Sequence, residues 1–156
     1  MNMEKFKVES IKDMIYKYPK IDKDGLEIIV ITRQDYDYNF VPLIKLEFDD
    51  ILKEDIIKMD SELKKKFIFV NKKHIDSIIK KLPRIIKAKT VYVCCDAGLS
   101  RSPAVAIALA YYLGESDSYT KLSWKHPFCN KDVFETVLIG LQKFTQDLVL
   151  EKNRKT

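Results

Sequence analysis

Residues 91–114 join an apolar run to an alanine-rich run through a short polar loop, VYVCCDAGLSRSPAVAIALAYYLG. The first run is β-branched and ends in two cysteines, a pattern that predicts a buried strand. The second run, from Pro103 to Leu113, is apolar on every side, which predicts a buried helix packed on a sheet. A strand, a short loop and a buried helix in this order indicate an α/β fold.

The rest of the sequence continues this alternation of strands and helices. Strands are predicted in KFKV, LEIIVIT and FVPLIKLEF, at residues 5–8, 26–32 and 40–48. Helices are predicted over SIKDMIYKY, NKKHIDSIIKKLPRIIKA and DSYTKLSWK, and from about residue 131 to 150. The order predicts a central, mainly parallel sheet flanked by helices. A length of 156 residues suits a single domain over residues 1–156.

Charge and cysteine content narrow the function classes. The net charge of +5 comes from scattered lysines, without an arginine-rich or aromatic-interleaved stripe, so nucleic-acid binding is not expected. Three cysteines, two of them adjacent, form neither a disulfide framework nor a zinc pattern. No apolar signal core or membrane-length apolar stretch is present. We therefore expect a cytoplasmic protein without membrane association; the sequence leaves its oligomeric state open.

The polar loop has the features of an anion site. It follows a strand and opens a helix, so its N–H groups and the positive end of the helix dipole can face a common point. Gly98 can adopt the positive φ that such a loop requires, Ser102 suits the N-cap, and Pro103 suits the first helical position. The predicted phosphate-binding residues are Asp96, Ala97, Gly98, Leu99, Ser100 and Arg101.

Cys95 and Arg101 give this loop its chemistry. The N–H dipoles, the helix terminus and Arg101 would all favour the thiolate of Cys95 over its thiol, which makes Cys95 a nucleophile. Arg101 offers a planar fork of donors that matches two oxygens of a phosphoryl group. Together these residues predict phosphoryl transfer through sulfur.

The filled loop resembles the signature of the cysteine-based protein tyrosine phosphatases, especially their dual-specificity branch. The matching positions are Cys95, Ala97, Gly98, Ser100, Arg101, Ser102 and Pro103. The likeness extends from about residue 40 to residue 140. It implies the fold of that family, with the phosphate-binding loop between a strand and a helix. It also implies that Ser102 assists release from the thiolate and that no metal or organic cofactor is needed.

The resemblance further implies a general acid upstream of the cysteine, because a tyrosyl or seryl oxyanion leaves poorly unless it is protonated. LEFDD at residues 46–50 fits if Leu46 and Phe48 point inward and Asp50 is the acid. Asp49 is the second candidate. Both aspartates could instead form a turn or cap a helix.

The sequence departs from the family pattern next to the nucleophile, where most members of the dual-specificity branch carry a histidine and this chain has Cys94. Cys94 is interpreted as a small buried hydrophobe, with a redox partner of Cys95 as the alternative. Asp96 adds a negative charge at the mouth of the loop, where lipid-directed relatives often carry basic residues.

Other polar and aromatic residues receive weaker assignments. His74 and His126 are predicted to have surface or packing roles, Cys129 and Trp124 to pack, and Asn130 to cap a helix or to match the Pro-Asn element of the family. Tyr36 and Tyr38 could wall a pocket for an aromatic phosphoester.

These predictions favour a phosphomonoester hydrolase that acts on phosphotyrosine, and on phosphoserine or phosphothreonine, in proteins. Alternatives are a phosphatase of small-molecule or lipid phosphates and a catalytically weak phosphate-binding module. A redox protein using Cys94 and Cys95 ranks below these, because adjacent cysteines form a strained disulfide.

Overall fold

The computed structural model describes residues 4–154. Within that range the sheet contains β1 (Phe6–Ser10), β2 (Leu26–Ile31), β3 (Ile44–Leu46) and β4 (Thr90–Cys95). The strands lie in the order β1-β4-β2-β3, and each neighbouring pair is parallel. The predicted α/β class with a mainly parallel sheet is confirmed. The single domain over residues 1–156 stays a prediction, and it includes residues 1–3 and 155–156, which lie outside the described residues.

The helices connect and cover these strands. In chain order they are α1 (Ile11–Lys17), a 3-10 turn (Tyr18–Lys20), α2 (Lys53–Ile57), α3 (Ser61–Lys64), α4 (Lys72–Lys87), α5 (Arg101–Tyr112), α6 (Ser116–Lys125) and α7 (Lys131–Arg154). In this part of the chain no helix is both long and apolar enough to cross a bilayer.

The two faces of the sheet bury different clusters, because successive side chains of a strand point to opposite faces. On β2, Ile29 and Ile31 pack with side chains from α4, α5, α6 and α7. Ile28 and Val30 pack on the other face with side chains from α1 and with Phe40. Helix α5 is buried from residue 102 to residue 110, as its uniformly apolar sequence predicts.

The sheet register gathers the functional segments at one edge. Cys95, the last residue of β4, is level with Ser10 at the end of β1 and with Ile31 at the end of β2. Ile31 is in turn level with Leu46, the last residue of β3. The residues that follow these strands therefore meet at the carboxyl edge, where open α/β sheets usually bind ligands.

Two predictions fail in detail. The strand predicted over residues 40–48 is ordered as a strand only at Ile44–Leu46, and Pro42 in its first half cannot donate to a strand ladder. Trp124 was predicted to pack, yet its side chain is 84% exposed. Helix α6 buries Ser118 and Leu122, four residues apart on one face, which directs Trp124 away from the core.

Candidate active site

The 95–102 loop places the sulfur of Cys95 at its base. The N–H groups of Gly98 and Ser102 donate to Cys95 Sγ at 3.3 Å and 3.4 Å. The residue is only 2% exposed, so the thiol lies beneath the loop. The sulfur is therefore the common acceptor of two N–H groups of the loop.

Gly98 is required by its conformation and by its packing. Its φ is +71°, and a Cβ at this position would lie 2.6 Å from the backbone nitrogen of Ser10. The predicted positive φ is therefore present. The backbone that it approaches is the end of β1, so the absence of a side chain at Gly98 lets the loop pack directly against the sheet.

The start of α5 differs from the prediction. The helix begins at Arg101, Ser100 occupies the N-cap position, and no side chain caps the helix there. Ser102 is thus inside the first turn, and so is Pro103, where a missing N–H leaves no intrahelical bond unmade. The Ser102 hydroxyl lies 3.1 Å from Cys95 Sγ and is buried. This contact, and not a cap, is what the Ser102 side chain makes.

Arg101 is held between two parts of the site. Its Nη1 donates to the carbonyl oxygen of Phe48 at 2.8 Å, and its Nη2 donates to Asp96 Oδ2 at 2.7 Å. The Arg101 and Asp96 side chains are 12% and 22% exposed, so the ion pair is largely shielded from water. The guanidinium thereby links the loop to the end of the 44–48 segment.

The Asp96 carboxylate has two further donors, which sequence reasoning missed. Thr32 Oγ1 donates to Asp96 Oδ1 at 2.7 Å and Tyr36 Oη donates to it at 2.6 Å. Burial alone would raise the pKa of Asp96, but these bonds and the charge of Arg101 lower the pKa below its ordinary value. Burial and the bond to Asp96 raise the pKa of Tyr36 to about 12.

Asp50 contacts the loop at Ser100. The Ser100 hydroxyl donates to Asp50 Oδ1 at 2.8 Å, and Asn130 Nδ2 donates to the same oxygen at 2.9 Å. Asn130 Oδ1 also accepts the N–H groups of residues 132 and 133 at the start of α7, each at 3.1 Å. Asn130 therefore caps a helix and holds Asp50.

Asp49 is directed elsewhere. Its Oδ2 accepts from Arg33 Nη1 at 2.8 Å and from the backbone N–H of Ile68 at 2.7 Å. These contacts tie the end of the strand segment to Arg33 and Ile68. Of the adjacent pair, Asp50 is the carboxylate that contacts the 95–102 loop.

A recess of about 530 Å³ opens beside Asp50. It is lined by Asp50, Leu52, Asp55, Ser100 and residues 127–131. Phe128 in its wall is 93% exposed, and Leu99 on the neighbouring loop is 68% exposed. The approach to the loop on this side therefore combines a carboxylate with exposed apolar surface.

Cys94 and His74 have packing and capping roles. Cys94 is fully buried among Ile11, Met14 and Val30, on the face of the sheet opposite Cys95. Burial raises the pKa of the Cys94 thiol well above its ordinary range. These facts agree with a small buried hydrophobe. His74 accepts the N–H of Asn71 and so completes the N-terminal cap of α4.

The described residues contain no group of three or more His, Cys, Asp or Glu side chains that could hold a metal ion. Within the same range Cys94, Cys95 and Cys129 are free thiols. Cys129 lines the recess beside Asp50 and packs partly against the core.

Comparisons with known proteins give similarity at the level of structure. No family model matches the chain, and no curated protein matches it. A leucine rich repeat and phosphatase domain containing protein from Entamoeba histolytica is 16% identical, with a TM-score of 0.45 over 97% of this chain and 92% of that one. The structure of Tk-PTP in the active form is 16% identical, with a TM-score of 0.43 over 88% of this chain and 90% of that one.

Proposed function

We propose that the protein is a phosphomonoester hydrolase that works through a cysteinyl-phosphate intermediate. The observation that carries the proposal is the arrangement around Cys95 Sγ, which receives two loop N–H groups and lies 3.1 Å from the Ser102 hydroxyl. Arg101 pairs with Asp96 within this loop, and Asp50 accepts a hydrogen bond from Ser100 of the same loop. A nucleophile, an anion-binding fork and an acid are the groups that this reaction needs.

In the first step Cys95 Sγ attacks phosphorus. The S–P bond forms as the P–O bond to the leaving group breaks, and Asp50 gives its proton to the departing oxygen. Arg101 and the N–H groups of the 95–102 loop bind the equatorial oxygens, over which charge is spread in the transition state.

In the second step water attacks the phosphorus of the intermediate and the S–P bond breaks. The Asp50 carboxylate takes the proton of the attacking water, which restores the acid for the next turnover. Ser102 donates its hydroxyl proton in a hydrogen bond to the departing thiolate, which makes Cys95 a better leaving group. Inorganic phosphate is released.

The substrate we propose is phosphotyrosine in proteins, with phosphoserine and phosphothreonine as further substrates. The exposed apolar side chains of Leu99 and Phe128 support an aromatic phosphoester, because a ring entering beside them would bury apolar surface. We further propose a cytoplasmic setting, since the nucleophile must stay a reduced thiol.

The experiment is hydrolysis of a panel of phosphate esters by the wild-type chain and by Cys95→Ser. Phosphotyrosyl, phosphoseryl and phosphothreonyl peptides are compared with a soluble inositol phosphate and an aryl phosphate. We expect turnover of the phosphotyrosyl peptide that is lost in Cys95→Ser. Faster turnover of the inositol phosphate would replace the protein substrate by a small-molecule or lipid phosphate. Phosphate binding without any turnover would indicate a binding module.

A further inference from the structure

Asp96 takes part in the 95–102 loop through its side chain, a role that its position in the sequence did not predict. We infer that Asp96 is a positioning residue: Thr32 and Tyr36 hold its carboxylate, and the carboxylate orients the guanidinium of Arg101 for the phosphoryl group. The inference rests on the proposed function, because it assigns a task to the same anion site. It also adds Thr32 and Tyr36 to the residues on which that site depends.

The carboxylate is fixed at both oxygens. Oδ1 accepts from Thr32 Oγ1 at 2.7 Å and from Tyr36 Oη at 2.6 Å, while Oδ2 accepts from Arg101 Nη2 at 2.7 Å. The Thr32 oxygen itself accepts the N–H of Gln34 at 2.9 Å, so its own proton is directed to Asp96. A carboxylate with three donors cannot rotate without breaking at least one of these bonds.

The contacts of Arg101 explain how this constraint reaches the phosphate site. Nη2 is held by Asp96 and Nη1 by the carbonyl of Phe48, so two different nitrogens of one rigid plane are anchored. Two anchors fix both the position and the rotation of the guanidinium, and one anchor leaves the rotation free. Arginine has five N–H donors, so the plane keeps donors for an anion. Holding it in advance removes part of the ordering cost of binding.

The opposite interpretation is that Asp96 is a brake that occupies the fork of Arg101 and competes with phosphate. The two interpretations predict changes of opposite sign in the anion affinity of the neutral variant Asp96→Asn. Removing a negative charge beside an anion site should by simple electrostatics strengthen anion binding. If Asp96 positions Arg101, binding must weaken despite that gain.

The experiment compares Asp96→Asn and Tyr36→Phe with the control Tyr38→Phe. Tyr38 packs against Phe40 in the cluster around α1, at a ring-centroid distance of 5.3 Å, instead of walling a phosphoester pocket with Tyr36. Its ring lies 6.1 Å from that of Tyr36, and its hydroxyl is buried without a hydrogen-bond partner among the described residues. Readouts are kcat/KM for an activated aryl phosphate and the dissociation constant of tungstate, with the melting temperature as a fold control. We expect Asp96→Asn to lose about 10–10²-fold in kcat/KM, the scale of a misplaced catalytic group. It should also bind tungstate more weakly. Tyr36→Phe should show a smaller loss in both, and Tyr38→Phe none.

A second background separates positioning from a general structural role. If Asp96 acts through Arg101, then Asp96→Asn should cause no further loss of tungstate affinity in an Arg101→Ala chain. A loss of the same size in both backgrounds would overturn the inference. So would tighter tungstate binding by Asp96→Asn, wild-type behaviour of that variant, or equal losses from Tyr36→Phe and Tyr38→Phe.

The tungstate measurements also keep the two proposals apart. A wild-type chain that binds tungstate through Arg101 but hydrolyses no ester would refute the hydrolase function, and the effect of Asp96→Asn on binding would still decide the positioning role. If the wild-type chain hydrolyses esters and Asp96→Asn leaves both kcat/KM and tungstate affinity unchanged, only the positioning role is refuted. A chain that neither hydrolyses esters nor binds tungstate would refute both.

Discussion

Replacing Asp50 by asparagine tests the acid step with little disturbance of the site. Both donors to this carboxylate, Ser100 Oγ and Asn130 Nδ2, are on Oδ1, so Oδ2 is the oxygen that can carry the transferred proton. The amide of asparagine has a carbonyl oxygen that can accept the same two bonds. What Asp50→Asn removes is therefore the proton donor, while the position of the side chain is kept.

The expected magnitude depends on the leaving group. A general acid contributes roughly 10²–10⁴-fold, which corresponds to about 2.7–5.4 kcal/mol in the activation free energy. The phenolate of tyrosine needs this proton, whereas a strongly acidic phenol needs far less help. We expect Asp50→Asn to lose roughly 10²–10⁴-fold in kcat on a phosphotyrosyl peptide. The loss on 4-nitrophenyl phosphate should be distinctly smaller.

The matched control is Asp49→Asn, which changes the adjacent carboxylate. Asp49 holds Arg33 and the N–H of Ile68, so its replacement should lower the free energy of unfolding by about 1 kcal/mol. Asp49→Asn should leave the ratio of kcat on the phosphotyrosyl peptide to kcat on 4-nitrophenyl phosphate unchanged. Equal losses of Asp50→Asn on both substrates would refute the acid role. A leaving-group effect confined to Asp49→Asn would transfer that role to Asp49. If neither variant shows the effect, Asp55 in the same recess is the next candidate.

Three further predictions concern the loop. Cys95→Ser should abolish turnover of an aryl phosphate without lowering the melting temperature, while Cys94→Ala should keep most of the activity; equal loss from both would favour a redox pair. Arg101→Lys should lose about 10²–10³-fold in kcat, the scale of a missing transition-state donor. Near-normal turnover would refute the proposal that the planar guanidinium of Arg101 binds two phosphoryl oxygens. Gly98→Ala should destabilise the protein more than Gly114→Ala, because both have φ near +70° but only Gly98 would contact backbone at 2.6 Å. Similar melting temperatures of the two alanine variants would contradict that packing argument.

The loop could be predicted from the sequence because its determinants are local. A buried strand, a glycine with positive φ and the start of a helix occur within one short segment, so Cys95 and Arg101 could be placed without long-range contacts. The inward orientation of Leu46 and Phe48, just before Asp50, could also be predicted, because the alternation of apolar and polar residues there is visible in the sequence. The predicted start of α5, with Ser102 as the N-cap, is wrong because a serine hydroxyl can either cap a helix or contact another group. Here the Ser102 hydroxyl contacts the sulfur of Cys95.

The Asp96 network could not be predicted, because it depends on strand order. Thr32 follows β2 and Asp96 follows β4, and they meet only because these strands are neighbours with level ends. No local pattern specifies that pairing. Once the order is known, a threonine at the end of one strand and an acid at the end of the next indicate a contact.

The Asp96 network also determines how much net positive charge the loop carries. Arg101 is paired with Asp96, so its positive charge is largely compensated before any anion arrives. Arg101, the oriented N–H groups of the loop and the N-terminus of α5 would then act on a phosphoryl group mainly at contact distance, because their fields fall off within a short distance. Compensated charges exert little long-range force, whereas an unpaired arginine would also draw anions from farther away. Under the proposed function, we therefore expect the loop to bind a phosphoester through close fit and contact-range hydrogen bonds and not through long-range electrostatic attraction.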